Sequence, residues 1–165
     1  YAFDDSNGYT HEMWLKDQLK MIQNLRETGF DNIILVPGNG QGQSEDAILA
    51  YGDQITTAYD NIVFDLHAYE NWLINTNETT IQNRFAKLKN ANFPIIFGEI
   101  GVINTSGLMQ VQDFLKVANR AKIPTLGWLW KKDLNDQNAP MDGQGNPNDL
   151  NNNSWGTTFF NFLTD

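Results

Sequence analysis

The chain has 165 residues, of which 41% are hydrophobic, and this length and composition suit one globular domain with a hydrophobic core. Its 20 acidic residues outnumber its 11 basic residues, and the resulting net charge of −9 disfavours nucleic-acid binding because the phosphate backbone is also negative. The chain has no cysteine, which excludes disulfides, thiolate metal sites and a cysteine nucleophile, and no apolar run approaches the length of a membrane-spanning helix.

Four short apolar runs predict four β-strands. The runs begin about 30 residues apart, are rich in β-branched and aromatic residues, and comprise residues 31–36, 60–67, 93–100 and 123–130. Each run is continuously apolar and does not alternate with polar residues, which is typical of a strand that is buried on both faces. The four runs therefore favour a parallel sheet.

Helical periodicity predicts one helix before the first strand and one after each strand. The segments are 11–28, a short helix at 45–51 within the gap 44–59, then 79–91, 107–121 and 154–163. Gly29 is suited to end the first helix, Ser44 to cap the second, and Gly52 is expected to interrupt the second. The apolar positions with helical spacing are Trp14, Met21, Ile22 and Leu25, then Ile81, Phe85 and Leu88, then Met109, Phe114, Leu115 and Ala118, and finally Trp155, Phe159, Phe160 and Leu163.

A helix followed by four strand–helix units predicts an α/β fold, either an open doubly wound sheet or part of a (β/α)8 barrel. The glycine-rich segment GNGQGQ, residues 38–43, does not favour the nucleotide-binding form of the open sheet. Its glycines do not have the spacing G-x-G-x-x-G, and no P-loop lysine follows them. We interpret the segment as a mobile strand-to-helix loop.

Polar and aromatic residues follow the predicted strands at the end where barrels carry their chemistry. In strand order they are Asn39, Gln41 and Gln43, then His67, Tyr69, Glu70 and Trp72, then Glu99, then Trp128, Trp130, Lys131 and Asp133. This mixture is typical of a sugar site, because indole rings stack on the apolar faces of pyranoses while amides and carboxylates bind hydroxyl groups. Glu99 is then the expected working carboxylate.

Each of these residues also has a simpler interpretation. Glu99 could be a structural acid paired with an arginine, and His67 could be a core histidine with its hydrogen bonds satisfied. Trp72 and Trp14 are more typical of packing. Trp128 and Trp130 alternate along the fourth predicted strand, so only one of the two is expected to face a sugar.

Three segments resemble the last strands of glycoside hydrolase family 5, especially its β-mannanases: NIVFDLHAYENW (61–72), PIIFGEIGV (94–102) and GWLWKKD (127–133). Residues 11–43 resemble the fourth helix and fifth strand of that family, and residues 141–163 resemble its final loop and last helix. The resemblance implies that residues 1–165 are the C-terminal half of a (β/α)8 TIM barrel, with strands five to eight and their helices.

The resemblance also implies roles for individual residues in a retaining endo-β-1,4-glycanase, in the first place a mannanase. Glu99 is the implied nucleophile, Tyr69 is implied to hydrogen-bond it, and His67 is implied to line the same subsite. The residues implied to bind substrate are Trp130, as the platform under the reacting sugar, Gln43 and Lys131. Two departures from the family pattern are Gln41, in place of an aromatic residue, and Lys132-Asp133, in place of Gly-Asn.

The resemblance leaves one catalytic group unmatched. The general acid/base of the family is the Glu of an Asn-Glu-Pro motif at the end of strand four, and this motif does not occur in the chain. Three explanations are open: a cleaved or two-chain barrel, a half-barrel that associates with itself or with a related half, and an inactive remnant that binds sugar. Unpaired strand edges favour association, and the edges at 31–36 and 123–130 are expected to pair with another chain.

The implied partners are thus a β-1,4-linked polysaccharide or oligosaccharide and a complementary half-barrel or second copy, with an extracellular location and no cofactor or metal. A non-catalytic carbohydrate-binding half-barrel and an endo-β-1,4-glucanase remain alternatives. A third is an α/β domain that binds calcium through the Asp/Asn-rich loop 133–153, although its spacing is not that of an EF-hand.

Overall fold

A computed structural model describes residues 8–131, 135–149 and 154–164. The chain forms two compact units, of which the first comprises Tyr1–Leu66 and Ala86–Ile96 and the second comprises His67–Phe85 and Phe97–Asp165. Within the described ranges, no helix combines the length and the apolar character needed to cross a membrane.

The described helices and strands alternate along most of the chain. In order they are α1 (His11–Glu27), β1 (Ile34–Pro37), α2 (Asp46–Ala58), β2 (Ile62–Ala68), α3 (Glu70–Leu73), α4 (Glu78–Ala91), β3 (Ile95–Ile100), β4 (Ile103–Asn104), β5 (Gly107–Leu108), α5 (Gln112–Ala121), β6 (Thr125–Gly127) and α6 (Trp155–Thr164). The four predicted strands and the five predicted helices are all present. The short helix α3 and the strands β4 and β5 are additional.

The four predicted strands form one sheet in the order β1-β2-β3-β6. In the first unit, β1 pairs with β2 in parallel, with Ile34 opposite Ile62, and the amide of Phe64 donates to the carbonyl of Pro94 just before β3. In the second unit, the end of β3 pairs with β6 in parallel, with Phe97 opposite Thr125. Within the described residues, β1 and β6 are therefore the edge strands, as predicted.

Helix α1 begins and ends where its sequence predicts. The side-chain oxygen of Thr10 accepts a hydrogen bond from the amide of Met13, and Gly29 has a positive φ of 81° just after the helix. The buried residues lie four apart along the helix, at Trp14, Gln18 and Ile22. Met21 and Leu25, two of the apolar positions with helical spacing, are exposed in the described structure, as is Leu163 in α6.

The predicted interruption of the second helix at Gly52 is wrong. Helix α2 continues through Gly52, which is buried. A Cβ atom at this position would lie 2.8 Å from Cε2 of Phe93 and 3.1 Å from Cζ of Phe64. The glycine therefore lets the two aromatic rings approach the helix backbone closely, and packing offsets its poor helix propensity.

The loop at residues 38–43 carries backbone hydrogen bonds, and its mobility stays a prediction. The backbones of Asn39 and Ser44 form an isolated β-bridge, and the amide of Gln43 donates to the carbonyl of Gly40. A Cβ atom on Gly38 would collide with the carbonyl oxygen of Ser44. Gly38 thus permits the chain to turn back tightly on itself.

The core of the second unit is an aromatic cluster. It comprises Trp72, Phe85, Phe97 and Phe114, and the ring centroids of its contacting pairs are 4.9 to 5.9 Å apart. The guanidinium of Arg84 lies 3.4 Å from the centroid of Trp72 and covers one face of the indole. The prediction that Trp72 packs in the core is confirmed.

Two predicted boundaries in the second unit are wrong. Helix α5 begins at Gln112 rather than at residue 107, because β4 and β5 pair antiparallel and form a hairpin at Ile103–Leu108. Strand β6 ends at Gly127 rather than at residue 130. Beyond it, the amide of Leu129 donates to the carbonyl of Asn138, so the chain leaves the sheet to pair with a later loop.

The carboxylate of Glu70 anchors the β4–β5 hairpin. It accepts hydrogen bonds from Nδ2 of Asn104, Oγ1 of Thr105 and the backbone amide of Ser106, at 3.0 to 3.2 Å. Partial burial opposes ionisation of Glu70, but the hydrogen bonds donated to it outweigh that effect and lower its pKa below the ordinary value of 4.5. The ionised form of Glu70 is therefore the form that holds the hairpin.

Replacement of Gly52 by alanine should lower the free energy of unfolding. The gain in helix propensity, about 0.5–1 kcal/mol, is smaller than the cost of pushing a methyl group against packed rings, about 1–3 kcal/mol. Denaturant unfolding of Gly52→Ala should give a lower midpoint than the unchanged protein. The matched control is Gly143→Ala, where an added Cβ meets nothing within 4 Å and φ is not positive; equal midpoints for both variants would contradict the packing argument.

The stabilising contribution of Glu70 should depend on pH. Because the pKa of Glu70 is lowered in the folded state, this contribution is present above the unfolded-state pKa and is lost as pH falls through the folded-state pKa. Glu70→Gln should therefore lower the melting temperature near pH 7, and the difference from the unchanged protein should shrink on acidification. Glu27→Gln, at an exposed position of α1, serves as control; a pH-independent difference for Glu70→Gln would refute the assignment.

Candidate active site

Two neighbouring strands bring the central residues of the predicted site together in the second unit. His67 lies in β2, Tyr69 directly follows this strand, and Glu99 lies in β3. His67 and Tyr69 are two residues apart, so the extended backbone directs both side chains to the same side. Because β2 and β3 are adjacent in the sheet, their ends present these three side chains at one edge.

The carboxylate of Glu99 has a different neighbour at each oxygen. The hydroxyl of Tyr69 donates to Oε2 at 3.0 Å, and Nε2 of His67 lies 3.7 Å from Oε1. The second distance is longer than a hydrogen bond, so His67 lies beside the carboxylate without a direct hydrogen bond to it. The side chain of His67 is 6% exposed and that of Glu99 is 21% exposed. The carboxylate is thus oriented by its neighbours while part of it remains accessible.

The alternative interpretation of Glu99 as a structural partner of an arginine is wrong. Within the described residues, none of the arginines pairs with Glu99. The chain has three, and each has another contact: Arg26 with backbone carbonyls, Arg84 with Trp72, and Arg120 with Glu78.

Gly101 allows the chain beyond Glu99 to pass close to the site. A Cβ atom on this buried glycine would lie 2.8 Å from Oδ1 of Asn138 and 3.1 Å from Cε1 of Tyr69. The second glycine of the Gly-Glu-Ile-Gly sequence is therefore required for steric reasons. It leaves space between the phenol ring that contacts Glu99 and the amide of a later loop.

Trp128 and Trp130 do not alternate along a strand, which corrects the sequence interpretation. Strand β6 ends before them, the amide of Trp128 donates to the carbonyl of Ile100, and the Trp128–Leu129 peptide bond is cis. In the described structure Trp128 is 42% exposed and Trp130 is 66% exposed. Both indoles are accessible, so the assignment of Trp130 as the sugar platform stays a prediction.

The other two predicted substrate-binding residues have local partners of their own. Nζ of Lys131 lies 3.4 Å from Oδ2 of Asp136, in an exposed ion pair across a loop. Gln43 belongs to the first unit, where it is buried and its amide donates to Gly40. The structure therefore groups Glu99, Tyr69 and His67, while the roles of Lys131 and Gln43 stay predictions.

The Asp/Asn-rich loop provides a structural residue that the sequence interpretation missed. Its residues 133, 134 and 150–153, including Asp133, lie outside the described residues, as does Lys132. The side chain of Asn138 in the described part contacts the backbone beyond Glu99. The signal was only an asparagine among many in a loop, and such residues are usually solvated.

The calcium interpretation of this loop gains no support from the described part. The carboxylate of Asp142 accepts hydrogen bonds from the amide of Gln144 and from the backbone and side-chain nitrogens of Asn146. The hydrogen bonds that its oxygens accept thus stabilise a turn of the chain. Across 8–131, 135–149 and 154–164, no group of three His, Asp or Glu side chains is arranged to hold a metal ion.

Known mannanases are similar to this chain in sequence and in structure. The mannan endo-1,4-beta-mannosidase of Cellvibrio japonicus (strain Ueda107) is 24% identical over 158 residues, which cover 94% of this chain and 36% of that protein. The β-mannanase structure from Thermomonospora fusca is 27% identical with a TM-score of 0.62, and the match covers 74% of this chain and 41% of that one. A mannohexaose complex of the T. fusca enzyme matches at 26% identity and a TM-score of 0.60.

These matches confirm the predicted fold class. The chain spans less than half the length of each of these relatives. The structural relatives are (β/α)8 barrels, and the partial parallel sheet of this chain with its helices is an α/β half-barrel. A family model described as cellulase (glycosyl hydrolase family 5) matches residues 3–134, which is more than half of the chain. The chain therefore belongs to glycosyl hydrolase family 5.

Proposed function

We propose that this chain is the part of a retaining β-mannanase that supplies the nucleophile, Glu99, and a sugar platform. The observation that carries the proposal is the carboxylate of Glu99 at a strand end, oriented by Tyr69 and approached by His67 while still accessible. The similarity to a mannan endo-1,4-beta-mannosidase and to the mannohexaose complex of a β-mannanase supports β-1,4-linked mannan or its oligosaccharides as substrate.

In this mechanism an oxygen of Glu99 attacks the anomeric carbon of the bound mannosyl unit. The glycosidic bond breaks as a carboxylic acid protonates the leaving oxygen, and water then hydrolyses the covalent glycosyl–enzyme intermediate. Tyr69 holds one carboxylate oxygen by its hydrogen bond and leaves Oε1 as the candidate attacking atom. His67 lies beside Oε1, and its proposed role is to line the subsite of the reacting sugar.

The second carboxyl group is proposed to come from the part of the barrel outside this chain. A retaining glycosidase needs its two carboxyl groups roughly 5–5.5 Å apart, and this chain has no Asn-Glu-Pro sequence. The complementary strands, whether on the same polypeptide or on another, would pair with the edges of β1 and β6. Exposed apolar residues on those strands, Leu35 and Leu126, support such pairing.

We also propose that the protein works outside the cell, since a polymeric substrate is degraded where it is encountered. Recovery of the native protein from the culture medium, rather than from washed cells, would test this location.

Glu99→Gln in the complete barrel should reduce kcat on mannohexaose by at least about 10³-fold, because the amide keeps the shape of the side chain but is not a nucleophile. The affinity for mannohexaose should change by less than about 1–2 kcal/mol, the scale of one altered hydrogen bond. Tyr69→Phe should cost less than Glu99→Gln because the phenol orients the nucleophile without forming a bond to the sugar. Steady-state kinetics and calorimetric binding measure the two effects.

Glu27→Gln is the matched control for this experiment, since it removes an exposed acid outside the site. Near-normal turnover in Glu99→Gln with a lowered melting temperature would show a structural acid and defeat the nucleophile assignment. The chain alone should be inactive; hydrolysis of mannan by the monomeric chain would contradict the proposed origin of the acid/base.

Trp130→Ala should weaken mannohexaose binding by about 1–3 kcal/mol, because an exposed indole offers its face to a sugar ring. Trp128→Ala, measured under the same conditions, is the internal comparison, since Trp128 is the other exposed indole of this segment. A larger loss for Trp128→Ala than for Trp130→Ala would move the platform to Trp128. Calorimetric titration with the inactive Glu99→Gln background separates binding from turnover.

A further inference from the structure

Asn138 connects two segments that flank the candidate site. Its side-chain oxygen Oδ1 accepts hydrogen bonds from the amides of Val102 and Ile103, at 3.0 and 3.1 Å. Its Nδ2 group donates to the carbonyl of Ile103 at 2.9 Å. One amide side chain therefore satisfies three backbone groups in the segment that immediately follows Glu99 and Gly101.

The backbone of Asn138 holds the segment that follows β6. Its carbonyl accepts hydrogen bonds from the amide of Leu129 and from Nε1 of Trp155, both at 2.9 Å. Leu129 lies between the two exposed tryptophans, Trp128 and Trp130. The same residue is thus bonded through its side chain to the nucleophile segment and through its backbone to the tryptophan segment.

The orientation of Asn138 is itself fixed. The backbone amide of Asn138 donates to Oδ1 of Asp136 at 3.0 Å, and Oδ2 of Asp136 pairs with Lys131. Gly101 provides the space in which Oδ1 of Asn138 lies, since a Cβ atom on Gly101 would approach this oxygen to 2.8 Å. The side chain of Asn138 therefore has partners for both its oxygen and its nitrogen, and it occupies a space that a methyl group on residue 101 would fill. We interpret this arrangement as a specific contact.

We propose that Asn138 is a positioning residue that holds the nucleophile Glu99 and the tryptophans after β6 in the spacing needed for attack on a bound sugar. This inference rests on the proposed function of Glu99. Asn138 does not touch the reacting atoms; it acts through Val102–Ile103 on one side and through Leu129 on the other. Displacement of reacting groups by about 1 Å can reduce turnover by about 10²-fold. Loss of the spacing between Glu99 and the tryptophans should therefore reduce kcat more than it reduces the affinity for the sugar.

The test compares Asn138→Ala, Asn138→Asp and the control Asn146→Ala in the complete barrel. Asn138→Ala removes the three side-chain hydrogen bonds and leaves the backbone carbonyl. Asn138→Asp keeps the size and the acceptor oxygen but places a carboxylate oxygen against the carbonyl of Ile103. Asn146→Ala deletes an asparagine side chain of the same loop whose amide donates to Asp142, away from both segments.

Asn138→Ala should reduce kcat on mannohexaose by about 10- to 100-fold with KM changed by less than about threefold. The rate at which a slow mechanism-based inhibitor labels Glu99 should fall by the same factor. Asn138→Asp should show a reduced kcat that recovers in part on acidification relative to the unchanged protein, because a protonated carboxyl group can donate to the carbonyl of Ile103. Asn146→Ala should keep both rates.

A lower melting temperature in Asn138→Ala with kcat and labelling rate equal to those of Asn146→Ala, measured well below either melting temperature, would overturn the inference and show a purely structural residue. If Asn138→Ala does not fold, the pH response of Asn138→Asp decides: a kcat with the same pH dependence as the unchanged protein would also overturn it. Failure of the proposed function is distinct, since then the unchanged protein would neither hydrolyse mannohexaose nor become labelled at Glu99.

Discussion

The hydrogen bond from Tyr69 to Glu99 depends on the parallel order of the sheet. Adjacent parallel strands end at the same edge, so a phenol just beyond β2 and a carboxylate in β3 meet without any contribution from sequence proximity. The bond joins residues 30 apart in the chain. The position of His67 beside Glu99 and the close packing of Gly101 against Tyr69 depend on the same alignment of strand ends.

Close approach of backbone segments is the second constraint, and glycine satisfies it at several points around the sheet. Gly101 separates Tyr69 from Asn138, and the ring of Phe159 in α6 packs where a Cβ of Gly127 would lie. Gly156 similarly meets the backbone of Asn148 at a distance that no side chain permits. The second unit therefore brings its last loop and helix against the sheet through positions without side chains.

The sequence predicted features that depend on local pattern and failed where long-range packing decides. Continuous apolar runs located all four strands, and Gly29, the predicted end signal of the first helix, lies just after α1. Gly52 was misjudged because helix propensity carries no information about Phe93, which lies 41 positions later. The grouping of Glu99 with Tyr69 followed from strand order, whereas Asn138 could not be found, since its partners are defined only by the folded loop.

The hairpin beyond Glu99 is fixed from both ends, by Asn138 at Val102–Ile103 and by Glu70 at Asn104–Ser106. A loop that is already ordered loses little conformational entropy when a ligand arrives. A sugar chain that contacts this hairpin would therefore keep more of its interaction free energy as affinity than it would against a loop that had to fold around it. The loss of conformational entropy of these residues occurs during folding and not during binding. In this segment the free energy of folding and the affinity for a ligand are therefore thermodynamically linked.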